Sequence, residues 1–132
     1  ILAVAGFAHS YKGVDSMDSS ASALAAARAL ALRSGGVVCV SGETDYATDG
    51  KRTICATGGC AMATLVVGTG CSLSALAAGF AARAADPLAA TAACCQYVKR
   101  AAERAAKSAR APGSFHTAYL DALYLLQPSD FS

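Results

Sequence analysis

The chain alternates between stretches of helical and of extended hydrophobic spacing. Alanine and leucine recur at helical spacing up to Ser34, with Asp18 as the expected N-cap and Gly35 as the expected end. Residues 37–40 then form an unbroken apolar run. Such a run is typical of a parallel strand that is buried on both faces and reached through a helical crossover. This part of the pattern predicts a helix followed by a short strand.

Turn and cap residues place the later elements. Asp49-Gly50 separates two short strand patterns, residues 45–48 and 52–56, and predicts a hairpin with a type I′ turn. Asp86 followed by Pro87 gives the N-cap and the first position of a helix. The spacing of apolar residues predicts three further helices, over residues 69–84, 86–109 and 114–126. Helices interleaved with short strands predict an α/β layered fold.

The sharpest chemical signal lies where Val66-Val67 runs into Gly68-Thr69-Gly70-Cys71. Glycines let the backbone bend and leave no β-carbon in front of the first helical N–H groups. Those N–H groups have no partner within the helix, and the macrodipole adds partial positive charge at the same end. The stretch therefore predicts a site for a phosphoryl group or another anion. Cys71 falls in the first helical turn, where the same field favours a thiolate.

These four residues also carry a resemblance. Gly68-Thr69-Gly70-Cys71 resembles the G-x-G-C signature of hydroxyethylthiazole kinases, the thiamine-salvage branch of the ribokinase-like kinases. Further segments similar to the family's follow the same order, at residues 12–16, 40–46, 111–115 and 120–123. The resemblance implies a ribokinase-like three-layer α/β/α fold, present here only as the C-terminal part of the sheet with its helices.

The resemblance implies a reaction and roles for individual residues. The enzyme would transfer the γ-phosphate of ATP, with Mg²⁺, to the hydroxyl of 4-methyl-5-(2-hydroxyethyl)thiazole. Cys71 stands where most ribokinase-like kinases have the aspartate base, Gly68 matches a substrate-contacting glycine, and Ser41 matches an ATP-contacting threonine. The anion hole would be made by Gly68, Thr69, Gly70 and Cys71. One departure is Leu65, which occupies a position where these families commonly carry a lysine.

Other interpretations of these residues stay open. Cys71 also fits a small residue chosen for close packing, and Gly68 fits a turn glycine that needs a positive φ. Ser41 also fits a polar residue at the end of a strand, while Glu43 could organise metal-bound water or cap a turn. No metal ligand can be assigned. The alternative functions are a ribokinase-like kinase acting on hydroxymethylpyrimidine or a sugar, and a catalytically inactive fragment.

Length and the first residue bear on domain organisation. With 132 residues the chain predicts one domain, residues 1–132. In the family an Asn-x-x-Glu motif precedes the segment that residues 1–6 resemble, so the chain is expected to be the C-terminal portion of a longer kinase subunit. The resemblance further implies a homotrimer for the whole protein and little activity for this portion alone.

Composition excludes some classes of partner. The net charge is +2, and the basic residues gather in Lys99, Arg100, Arg104, Lys107 and Arg110. No aromatic residues interleave with them, which favours a solvated helix face over a nucleic-acid site. The six cysteines contain no C-x-x-C pair, and buried free thiols fit them best, Cys71 excepted. No apolar stretch is long enough to span a membrane, and we expect a cytoplasmic protein with small-molecule partners.

Overall fold

The computed structural model describes residues 23–131. Its elements are helix α1 (Leu24–Ser34), strands β1 (Val38–Val40), β2 (Asp45–Thr48) and β3 (Thr53–Ala56), a 3₁₀ turn (Ala61–Leu65), helices α2 (Thr69–Ala81), α3 (Pro87–Ala106) and α4 (Pro112–Leu125), and a second 3₁₀ turn (Pro128–Phe131). The helix start expected at Asp18 lies outside the described residues, whereas the helix end before Gly35 is confirmed. None of the helices between residues 23 and 131 has the length and apolar character needed to cross a membrane.

The three strands pair in the order β1-β2-β3, and both pairings are antiparallel. The prediction of a doubly buried parallel strand at residues 37–40 is wrong in this respect, because β1 runs antiparallel to β2 and is only half-buried. An unbroken apolar run indicates burial but carries no information about direction. The short connection over residues 41–44 is compatible only with an antiparallel neighbour, since a parallel crossover takes a dozen or more residues.

The hairpin between β2 and β3 is confirmed, but its turn type is not the expected one. Thr48 pairs with Thr53, so the loop holds the four residues 49–52 rather than two. A type I′ turn needs positive φ at both central residues, and in this loop only Gly50 has one, at 91°. The Asp49 carboxylate accepts hydrogen bonds from the amides of Lys51 (2.9 Å) and Arg52 (2.6 Å). This local side-chain bonding stabilises the longer loop.

The sheet lies between helices, which confirms the expected α/β layering. Side chains alternate between the two faces of a strand. On one face Ala47 packs against Leu88 at the start of α3. On the other face the Thr53 hydroxyl accepts a hydrogen bond of 3.2 Å from Arg28 Nε of α1. Helices α2 and α4 both pack on α3, so α3 is the central element of the described chain.

The predicted start of α3 is confirmed. The Asp86 carboxylate accepts hydrogen bonds from the amides of Leu88 (3.1 Å) and Ala89 (3.4 Å), and Pro87 occupies the first helical position. Small side chains on α3 let its neighbours approach closely. The main cluster between α3 and α4 contains Ala101, Ala102, Ala105, Phe115, Tyr119, Ala122 and Leu126. This packing fixes the position of α3, whose side chains line the cleft described below.

Candidate functional site

Helix α2 begins at a glycine-bent turn with unpaired amides. Gly68, the N-cap residue, has φ of 100°, a conformation that costs L-residues strain and suits glycine. Within residues 23–131 no side chain caps this helix and no acceptor takes the amides of residues 69–71. Gly68, Gly70 and Cys71 are exposed. The helix start therefore offers free donors and partial positive charge to an anion.

Two hydroxyl groups hold this helix start in place. Thr69 Oγ1 donates towards the carbonyls of Ala63 (3.0 Å) and Val66 (3.3 Å), which ties it to the preceding 3₁₀ turn. Ser72 Oγ lies 3.4 Å from Tyr119 Oη of α4. Since both hydroxyls are engaged within the protein, the backbone amides are the groups left to bind a ligand.

A cleft of about 780 Å³ lies beside this helix start. Its walls are residues 41–45, residues 57–61, 63 and 64, and the start of α2, and side chains of α3 and α4 line the rest. Of the candidate site residues singled out from the sequence, Ser41, Glu43, Thr69 and Gly70 line the cleft. Gly68 and Cys71 do not line it, although each adjoins a lining residue in the chain. The structure thus brings the ATP-contact candidate and two of the four anion-hole candidates to one opening.

A buried ion pair under residues 41–45 escaped the sequence analysis. Lys99 Nζ lies 3.4 Å from Asp45 Oδ1, with side chains only 8% and 5% exposed. Nζ also donates to the carbonyls of Glu43 (2.9 Å), Gly42 (3.1 Å) and Gly58 (3.4 Å). Burial raises the pKa of Asp45 above its usual range, and the Gly42 amide and Lys99 act in the opposite direction. The ion pair is therefore part of the cleft's construction.

The expectation of a solvated basic face on α3 is wrong for Lys99. Arg100, Arg104, Lys107 and Arg110 are exposed, as expected. Lys99, however, lies four residues after Cys95 and three before Ala102, and both of those are buried. The helical period of 3.6 places all three on the inward stripe. That spacing was the available signal for a buried lysine.

Residues 57–60 are held by the next turn of α3. Glu103 Oε1 accepts a hydrogen bond of 2.9 Å from the Gly59 amide, and this bond is the main reason why the pKa of Glu103 is lowered. Arg100 lies 3.0 Å from the other carboxylate oxygen. Gly58 and Gly59 both have positive φ, and a β-carbon on Gly58 would fall 2.3 Å from Glu103 Oε1. The turn is thus fitted closely to α3.

Comparison with known proteins identifies the family of the chain. The family model described as the hydroxyethylthiazole kinase family matches residues 1–129 of the 132. The chain belongs to the hydroxyethylthiazole kinase family. It is 49% identical over 130 residues to the hydroxyethylthiazole kinase of Citrobacter koseri, covering 98% of this chain and 50% of the relative. The Klebsiella pneumoniae relative is 52% identical over 124 residues, with 94% and 48% covered.

A solved structure supports the same fold. The hydroxyethylthiazole kinase from Pyrococcus horikoshii OT3 superposes with a TM-score of 0.75 at 35% identity, over 80% of this chain and 41% of that one. The ribokinase-like α/β class and the family resemblance drawn from the sequence are both confirmed. The chain spans about half the length of the curated relatives it matches.

The position where the resemblance leads us to expect a lysine carries an exposed leucine. Leu65 is 68% exposed at the end of the 3₁₀ turn before Gly68. Lys99 does not take over the role of that missing cation. An ammonium has three hydrogens to donate, and four oxygen atoms already surround this one within 3.4 Å. Among the described residues, the donors that remain open to an anion at this cleft are therefore the backbone amides at the start of α2.

The six cysteines differ in burial: two are buried, two are half-buried and two are exposed. Cys94 and Cys95 are buried, as expected, and burial raises the pKa of Cys94 to about 11. Cys39 Sγ lies 3.4 Å from Cys95 Sγ, and that contact lowers the pKa of Cys39. Cys55 is exposed, so the expectation of a buried thiol is wrong there. Cys55 lies on β3, the last strand in the sheet order, where the neighbouring Ile54 on the other face is exposed as well, so this strand has no simple alternation of buried and exposed positions.

Proposed function

We propose that this chain is the C-terminal portion of a hydroxyethylthiazole kinase subunit, which transfers the γ-phosphate of ATP to the hydroxyl of 4-methyl-5-(2-hydroxyethyl)thiazole. The observation that carries the proposal is the open start of α2 beside the cleft, where the amides of residues 69–71 have no acceptor among the described residues. Phosphoryl transfer requires donors aimed at the charge on the equatorial oxygens and an acceptor held in line. Unpaired amides at a helix N-terminus supply such donors.

Cys71 is the proposed base in this reaction. It follows Gly70 directly, and its side chain is exposed. The hydroxyl oxygen of the acceptor attacks the γ-phosphorus while the bond between that phosphorus and the bridging oxygen breaks, so that ADP leaves. The hydroxyl proton passes to the Cys71 thiolate. A positioned base contributes about 10²–10⁴-fold to the rate, so positioning and charge stabilisation carry most of it. Gly68 is proposed to contact the thiazole and Ser41 to contact ATP.

Magnesium is proposed as the metal that accompanies ATP. Between residues 23 and 131 no group of three His, Cys, Asp or Glu residues could hold a metal ion. Glu43 is an exposed carboxylate at the cleft, whereas Asp45 is engaged by Lys99 and by the Gly42 amide. This fits an ion held mainly by phosphates, with Glu43 completing its shell, because Mg²⁺ commonly takes one or two carboxylates beside phosphates and water. The ion would neutralise charge on the phosphate oxygens.

We further propose a homotrimer for the whole cytoplasmic protein. Val67 is 95% exposed directly before Gly68, and Leu65 is 68% exposed. Large apolar side chains exposed beside a functional site fit burial at a subunit interface. Sedimentation of the whole protein at several concentrations would test the trimer. A monomer at every concentration would contradict it.

The activity is tested in a reassembled subunit, in which this chain replaces the matched 50% of the Citrobacter koseri relative. Phosphorylation of the thiazole alcohol, of hydroxymethylpyrimidine and of a sugar is measured with MgATP, and with EDTA as the metal-free control. We expect turnover of the thiazole alcohol only, dependent on Mg²⁺. Turnover of another alcohol in its place would reassign the substrate, and ATP binding without turnover would show an inactive site. The 132-residue chain alone is expected to be inactive.

A further inference from the structure

The environment of Lys99 makes it a structural cation within the cleft wall. Its ammonium donates to the carbonyls of Gly42, Glu43 and Gly58 and faces Asp45 Oδ1 at 3.4 Å. These oxygens exhaust the three donors of an ammonium group. Lys99 therefore has no donor left for a ligand, although it lines the cleft.

The same contacts join two separate turns. Residues 41–45 follow β1, and residues 57–60 follow β3. Both peptide groups of Gly42 are fixed, since its amide donates to Asp45 Oδ1 at 2.8 Å and its carbonyl accepts from Lys99. Gly58 supplies the contact from the second turn. One ammonium on the rigid α3 thus sets the separation of two walls of the cleft.

Stability is a poor explanation for such a pair. Removing two charges from water costs free energy that their attraction often fails to recover, and apolar replacements of similar volume are often neutral or stabilising. What an apolar residue cannot do is donate to three carbonyls that arrive from two different turns. The geometry of residues 41–45 and 57–60 is the property that depends on the charge.

We propose that Lys99, balanced by Asp45, is a positioning residue that holds residues 41–45 and 57–60 in the arrangement that receives the nucleotide. This rests on the proposed function, in which Ser41 contacts ATP. Lys99 acts through the backbone that it binds and touches no reacting atom. Loss of its ammonium should therefore weaken the use of ATP and leave the thiazole site on α2 unaffected.

The first test uses the 132-residue chain and does not depend on activity. Amide hydrogen exchange is compared among the parent, Lys99→Met, and the double variant Lys99→Met with Asp45→Asn. The double variant leaves no unpaired buried charge and keeps an acceptor for the Gly42 amide. We expect Lys99→Met to lower the thermal midpoint and to speed amide exchange across residues 41–45 and 57–60. In the double variant the midpoint should return towards that of the parent, while exchange in the two segments stays fast. Arg104→Met, another basic residue of α3 but exposed, is the control and should change neither segment.

The second test measures kinetics in the reassembled subunit. In the double variant kcat/KM for ATP should fall about a hundredfold, the order of loss expected from a small misplacement of bound groups, while KM for the thiazole alcohol stays unchanged. Recovery of exchange, stability and kinetics together in the double variant would overturn the proposal, because Lys99 would then matter only as a compensated charge. A parent that turns over no alcohol would overturn the proposed function instead, and hydrogen exchange alone would decide the positioning of the two turns.

Discussion

The two sides of the cleft treat their polar groups in opposite ways. On the side of residues 41–45 and 57–60, carbonyls and amides are paired with Lys99, Asp45 and Glu103. On the side of residues 68–71, glycine twice replaces a side chain, and the first amides of α2 meet no acceptor among the described residues. The first side is a fixed wall, and the second carries the donors that are open to an anion.

This difference assigns a separate requirement to each side. Donors that are unpaired in the free protein are available for a ligand, but they give selectivity only if the opposite wall is held still. Pairing makes the fixed wall rigid and leaves its paired donors unavailable to an anion. Substitutions on the two sides should therefore fail in different ways, with loss of activity on the open side and loss of structure on the fixed one.

The largest effect is expected at Cys71, on the open side. Cys71→Ala removes the proposed base and leaves the donors intact, so kcat in the reassembled subunit should fall by about 10²–10⁴-fold without reaching zero. Because Cys71 is exposed, the thermal midpoint should hardly move. Cys55→Ala, the other exposed thiol, is the matched control and should retain full activity. Unchanged kcat in Cys71→Ala would assign the cysteine to packing.

Gly70→Asp should separate anion binding from stability on the same side. A carboxylate in the first turn of a helix is stabilising by about 0.3–1 kcal/mol, so the fold should not suffer. The same carboxylate repels a phosphoryl group and accepts hydrogen bonds from the amides at the start of α2. Activity should therefore fall about a hundredfold or more, as when an oxyanion donor is removed. The loss of anion binding is checked directly by adding inorganic phosphate to the chain and measuring the change in amide NMR chemical shifts. Gly70→Ala, with nothing within 4 Å of its new carbon, is the control.

The contrast between the sides was only half visible in the sequence. Residues 68–71 could be interpreted because a helix start is a local feature, set by glycines and by the hydrophobic pattern that follows. The cap at Asp86 was predictable for the same reason. The pairing of Asp45 with Lys99 joins residues 54 positions apart. Helical spacing indicates that Lys99 faces inward, but nothing local to either residue identifies its partner. The direction of β1 was likewise a matter of connection length, which an apolar run does not encode.

Replacing a glycine by alanine should change the free energy of unfolding in opposite directions on the two sides of the cleft. Gly58→Ala places a β-carbon at φ of 98° and 2.3 Å from Glu103 Oε1, so it should destabilise the chain by about 1–2 kcal/mol. Gly70→Ala lies in a helix and in open space, and it should stabilise by up to about 1 kcal/mol. Urea denaturation of the 132-residue chain measures both. Equal effects at the two positions would mean that residues 57–60 are not held by α3.

The smallest effect is a difference in pH dependence between the two carboxylates of the fixed wall. The Gly59 amide lowers the pKa of Glu103 below its ordinary 4.5, so its stabilising contribution is present above that value and is lost as the pH falls through the folded pKa. The difference in unfolding free energy between the parent and Glu103→Gln should therefore shrink below about pH 5.

Asp45→Asn should give the opposite slope. Burial raises the pKa of Asp45 above its ordinary 3.8, so the folded chain takes up this proton at a higher pH than the unfolded chain does. The parent should then gain stability relative to Asp45→Asn as the pH falls through that raised value. Parallel slopes for the two variants in urea titrations would contradict this assignment. Opposite slopes would show that the Gly59 amide controls the pKa of Glu103, whereas removal from water controls the pKa of Asp45.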